Sequence, residues 1–107
     1  MSALALVAAA ALQLTSAQDA GADARDGGPD RIDVSTYPAE QKARYELFRQ
    51  KCSKCHAVAR AVNSRFSPVE WKRYIKRMVR RPNAGVSDDQ ADEIFEFLKF
   101  YSSKLGL

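Results

Sequence analysis

Apolar residues fall into two regimes along the chain. Residues 2–14, SALALVAAAALQL, form one nearly unbroken apolar run. It is followed by TSA, which puts Thr15 at −3 and Ala17 at −1 of a small-residue cleavage site, so 1–17 reads as a secretory signal peptide. The run is shorter than the ~20 apolar residues of a comfortable membrane span. No Lys or Arg precedes it, so the positive end rests on the terminal amine. An uncleaved membrane anchor is the alternative. Residues 18–38, QDAGADARDGGPDRIDVSTYP, carry Gly, Pro and five aspartates with almost no large apolar side chain. That composition predicts a flexible acidic leader.

From residue 39 on, apolar positions recur three and four apart, the spacing of helices with one buried face. PAEQKARYELFRQKC (38–52) predicts a first helix, capped by Ser35 or Thr36, with Ala43, Leu47, Phe48 and partly Tyr45 as its apolar stripe. AVARAVNSRF (57–66) has no clear period and reads as loop or a short turn of helix. In SPVEWKRYIKRMVRRP, Ser67 is a cap, Pro68 sits at the first helical position, and Glu70 completes a capping box. Trp71, Tyr74, Ile75 and Met78 then share one face, and Lys72, Arg73, Lys76, Arg77, Arg80 and Arg81 cover the others. Pro82 stops this helix, and PNAG is a turn. In SDDQADEIFEFLKFYSSKLG, Ser87 and Gln90 make a second capping box, with Asp88 and Asp89 at the positive end of the helix dipole. Ala91, Ile94, Phe95, Leu98, Tyr101 and Leu105 should face inward, and Gly106 should end the helix. No strand pattern and no internal repeat occurs. The fold class is all-α, with three main helices.

Length and charge narrow this further. A folded part of 39–107 is one small domain, a size at which a hydrophobic core alone is marginal and a staple is usual. The whole chain has a formal charge of +4. Residues 18–38 hold two basic against five acidic residues, and 39–107 hold fifteen Lys and Arg against eight Asp and Glu, a formal +7. Such a field favours encounter with acidic protein partners and says nothing about fold. Nucleic acid is not an expected partner.

The candidate chemistry sits in KCSKCHAVAR, residues 51–60. Cys52, Cys55 and His56 are the only cysteines and the only histidine of the chain. Structural zinc wants four N/S ligands, and this chain offers three. A thioredoxin-like dithiol expects a strand before the motif and a βαβ pattern around it, which are missing here. Covalent haem attachment reads as C-x-x-C-H. Each thiol adds to one porphyrin vinyl group, and the histidine beside the second thioether lies beneath the iron. An ordinary disulfide or free thiols is the fourth reading. A haem would also supply the apolar centre that so small a core lacks, and export fits, because the attachment takes place outside the cytoplasm.

With these flanks the chain resembles the class I cytochrome c family. LFRQKCSKCH looks like that family's first helix running into its haem motif, with Phe48 four before Cys52. EIFEFLKFY looks like its aromatic last helix. WKRYIKRM resembles the segment of small bacterial monohaem cytochromes in which a tryptophan helix ends in the ligand methionine. The likeness covers about residues 40–103. Two positions depart from the family. Arg44 stands where a glycine is usual at the helix crossing, which predicts an offset contact. No proline follows His56 within residues 57–67, so another carbonyl in AVARAVNS must orient its imidazole. Four-helix c-prime cytochromes match poorly, since they carry the motif near the C-terminus.

The resemblance implies one haem c on Cys52 and Cys55, with His56 and Met78 as iron ligands. Met78 as core filler, with a lysine, water or an open position at the iron, is the alternative. Trp71 would pack against the porphyrin. Arg60 and Asn63 would hold a propionate or lie exposed. The cations of 72–81 form either a solvated helix face or a docking surface for an acidic redox partner. The function implied is a periplasmic one-electron carrier, with no catalysis asked of the chain. A cytochrome subunit of a larger dehydrogenase or oxidase, or an open-site haem sensor, are the alternatives.

Overall fold

A computed structural model describes residues 23–54 and 58–107. The signal-peptide reading of 1–17, the first residues of the expected leader, and Cys55 and His56 lie outside the described residues. Among the described residues four α-helices follow one another: α1 (Ala39–Cys52), α2 (Val58–Val62), α3 (Pro68–Val79) and α4 (Asp88–Lys104), with a 3-10 turn at Ala24–Gly27 before them. Among the described residues all regular structure is helical, as the apolar spacing predicts. No helix among them is long and apolar enough to cross a membrane.

Both capping boxes form. Ser67 Oγ accepts from the Glu70 N–H at 3.4 Å while Glu70 Oε1 accepts from the Ser67 N–H at 3.0 Å. Ser87 and Gln90 repeat the exchange at 3.2 and 3.0 Å. Each box satisfies donors that a helix start leaves open, so α3 and α4 begin where the sequence places them. At the far end of α4, Gly106 takes φ +75, the left-handed backbone that closes a helix.

The start of α1 differs. Its cap position is Pro38, in extended backbone and with no side-chain cap, rather than Ser35 or Thr36. Those two residues are spent on a turn: the Asp33 carboxylate accepts from the Ser35 N–H at 3.0 Å, and the Tyr37 N–H donates to the Val34 carbonyl at 2.9 Å. The turn seats Tyr37 edge-on to Phe100, with centroids 4.9 Å apart.

α1 and α4 cross through aromatic rings. Phe48 stacks on Phe97 at 5.9 Å, and Tyr45 lies 5.3 Å from the same ring. Beside this contact Arg44 reaches across to Glu93 at 2.6 Å and back to Glu40 at 3.1 Å. The bulky residue at the crossing is accommodated as an ion pair. The buried stripe of α1 is Tyr45 and Phe48, whereas Ala43 is exposed and Leu47 half-buried. In α4 the deepest residues are Ile94, Phe97, Leu98 and Ser102, and Ala91, Phe95, Tyr101 and Leu105 are only partly covered.

Residues 23–38 also depart from expectation. They lie against the helices instead of forming a loose leader. Ile32 is buried in the core, and its N–H donates to the Tyr45 hydroxyl at 3.0 Å. Val34 and Tyr37 pack on the same cluster. Composition missed this because one isoleucine and a set of polar contacts hold the segment.

Candidate functional site

Between α1, α3 and α4 lies an apolar cavity of about 30 Å³. Phe48 and Cys52 line it from α1, Tyr74, Ile75, Met78 and Val79 from α3, Ile94 and Leu98 from α4, and Ala84 and Val86 from the connecting loop. The helix period explains the convergence. Cys52 follows Tyr45 and Phe48 at i+7 and i+4, on the buried face of α1, and Met78 follows Tyr74 and Ile75 at i+4 and i+3 on α3. Cys52 of the motif and Met78, twenty-six positions later in the sequence, thus line one cavity.

Among the described residues the cavity's one charged lining residue is Lys51, whose ammonium donates to the Gly85 carbonyl at 3.1 Å and ties α1 to the loop. Gly85 takes φ +65 there, a conformation that favours glycine.

Tyr74 forms part of the wall and is 6 % exposed. Burial pushes its phenol up to about 12, and the Cys52 thiol pushes the same way, against the pull of the Arg25, Arg60 and Arg77 guanidiniums. The Arg77 guanidinium lies over the Tyr74 ring, 5.8 Å from its centroid.

Trp71 does not line the cavity. It is buried behind it, edge-on to Phe66 at 5.0 Å and to Tyr74 at 5.7 Å. Its indole N–H donates to Ser102 Oγ at 2.9 Å, and Ser102 in turn donates to the Phe66 carbonyl at 2.7 Å. Sequence reasoning missed Ser102, because a serine in an aromatic helix carries no signal of its own.

Arg60 and Asn63 are engaged by residues 23–29. Arg60 grips the Asp26 carboxylate at 3.0 and 2.7 Å and lies 3.4 Å from Asp23. The Asn63 amide donates to the carbonyls of Arg25, Pro29 and Ala59. The cations of α3 are exposed at Lys72, Arg73, Lys76 and Arg77, followed by Arg80 and Arg81.

Among the described residues no three His, Cys, Asp or Glu side chains cluster as a metal site. The cavity's own chemistry bears on a cofactor more directly. Its donors are soft, a thiol and a thioether, and the walls between them are aliphatic and aromatic. These residues fit a flat apolar macrocycle joined through sulfur. The volume holds little more than a water or two, so the walls rest on one another and such a group must part them. Met78, Val79 and Val86 are half-buried members of that wall, whereas Phe48, Ile94 and Leu98 are fully covered.

No protein-family model matches this chain, and no curated protein and no solved structure matches it.

Proposed function

We propose that the chain carries one haem c, attached through Cys52 and Cys55, and works after export as a periplasmic one-electron carrier with a small class I cytochrome c fold. The observation that supports this reading best is the meeting of Cys52 and Met78 on one apolar cavity. His56, next to the second thiol in the sequence, and Met78 would hold the iron. The haem iron supplies reversible one-electron chemistry, with Met/His ligation raising its potential.

The chain's residues do the rest. Phe48, Ile75, Ile94 and Leu98 exclude water from the cavity. A dry site disfavours extra charge and so acts on the potential in the same direction as the thioether. The Trp71–Ser102–Phe66 chain of hydrogen bonds holds α3 on α4 and with it the helix that carries Met78. The cations of 72–81 draw an acidic partner to this side of the molecule.

The test is the exported protein beside Met78→Ala, both reduced and exposed to carbon monoxide. The wild type is expected to keep its haem through denaturing electrophoresis, to show a Met–iron charge-transfer band in the near red when oxidised, and to resist the gas. Met78→Ala should lose the band and bind the gas readily. Equal binding by the two proteins makes Met78 core filler and favours the open-site sensor. Co-purification with a dehydrogenase or oxidase at fixed stoichiometry favours the subunit reading.

A further inference from the structure

α1 and α3 both pack along α4, α1 through the stacked Phe48 and Phe97 rings and α3 through the buried Trp71–Ser102 hydrogen bond. Among the described residues far less of α1 lies against α3. The cavity sits on that seam, with Cys52 on one side and Met78 and Val79 on the other. The loop from α3 to α4 spans the seam at this end. Ala84 and Val86 of the loop line the cavity themselves, so the loop is one of its walls.

This wall is fastened differently from the others. Within the loop the Arg81 N–H donates to the Met78 carbonyl and the Ala84 N–H to the Arg81 carbonyl, two successive turns at 3.2 Å each. Asn83 and Gly85 both hold φ +65. Across the seam the Lys51 ammonium, on α1, donates to the Gly85 carbonyl, and this bond is exposed. Water competes for both partners of an exposed hydrogen bond, so it holds less firmly than stacked buried rings. On its outer side the same loop borders a surface groove lined by Lys54, Arg81, Pro82 and Asn83. Cavity and groove thus lie on either side of one short loop, with the buried Ala84 methyl between them. Segments held by few buried contacts and exposed hydrogen bonds are the first to open.

We propose that the loop 80–86 is the gate of the cavity, latched by Lys51 on the Gly85 carbonyl, and that its release admits a flat apolar ligand between Cys52 and Met78. The inference rests on the reading of the cavity as the haem site, since it assigns the side from which that site is filled. Its test needs no haem, so the two fail separately: loss of the haem reading shows as exported wild type without covalent haem.

The experiment uses the full chain without haem and the neutral dye Nile red as the apolar probe. Two readouts are followed, dye affinity and hydrogen exchange at the Ala84 amide. Lys51→Met keeps the length of the stem and removes the donor, and it is expected to raise both several-fold. Lys51→Arg, which keeps a donor, should stay near wild type. Gly85→Ala should also raise both. A Cβ there meets only Lys54 Nζ, at 3.6 Å, so the substitution strains the left-handed backbone of the closed loop, and Gly85 is not part of the cavity wall. Exchange at the Phe97 and Leu98 amides of α4 should not change in any of the three. Faster exchange at Ala84 with unchanged dye affinity overturns the proposal, because the loop then opens onto nothing. Unchanged exchange at Ala84 overturns it too, because Lys51 then latches nothing. If Lys51→Met loses its helices, Gly85→Ala decides by the same two readouts.

Discussion

Ser102 is a fully buried polar side chain, placed between an indole N–H and a main-chain carbonyl. Ser102→Ala removes the partner of both Trp71 and Phe66. Leaving such groups unpaired costs about 1–3 kcal/mol, and a urea titration of the variant against wild type should show a loss of that size with the helices retained. Tyr74 makes a second residue-scale prediction. Its folded-state value is raised, so the folded chain holds the phenolic proton above pH 10, where the unfolded chain releases it. Stability is then flat below pH 10 on this account and falls as pH rises from 10 towards 12. Tyr37 and Tyr101 are shifted upward by burial as well, so some decline remains without Tyr74. Urea midpoints measured from pH 9 upward should fall less steeply in Tyr74→Phe than in wild type. An equal slope in the two proteins would refute the assignment.

Among the helices, α4 shows what a local pattern can and cannot say. Its start was legible, because a capping box is written in four consecutive residues. Ser87→Ala should cost about 1 kcal/mol, seen as a lower melting temperature. Ile94 and Leu98 are buried as the period predicts, but the buried ring of this face is Phe97 and not Phe95. EIFEFLKFY is apolar nearly all round, so a stripe through Phe95 and one through Phe97 both fit the helical period. The crossing of α1 chooses between them by stacking Phe48 and Tyr45 on Phe97, and it leaves Phe95 beneath the ammonium groups of Lys72 and Lys99. Phe97→Ala should therefore destabilise by about 3–5 kcal/mol, and Phe95→Ala by clearly less. Chemical denaturation of the two variants side by side distinguishes the stripes. α1 carries the same lesson, since Ala43 fits the pattern and is exposed while Tyr45 fits it poorly and is buried.

At the scale of the whole molecule the charge is divided. Asp23 and Asp26 are turned onto Arg25 and Arg60, and the cations of α3 and the loop after it are left facing solvent. If the proposed carrier role is right, electron exchange with an acidic partner slows as ionic strength rises, because encounter of opposite charges is screened. Stopped-flow rates that stay flat from low to high salt would leave Lys72, Arg73, Lys76 and Arg77 as a solvated helix surface.

The sequence by itself determined where α3 and α4 begin and that the described chain is helical. Each depends on neighbours within about a helical turn, where spacing and side-chain type decide. Tertiary structure decided which ring of α4 is central, that Trp71 turns to Ser102 and away from the cavity, and that Arg60 binds Asp26. It also folded the acidic segment 23–38 onto the helices and brought Cys52 and Met78 to one cavity. These contacts join residues up to 63 positions apart in the chain, as Tyr37 and Phe100 are. The angle at which helices cross sets them, and no local period records that angle.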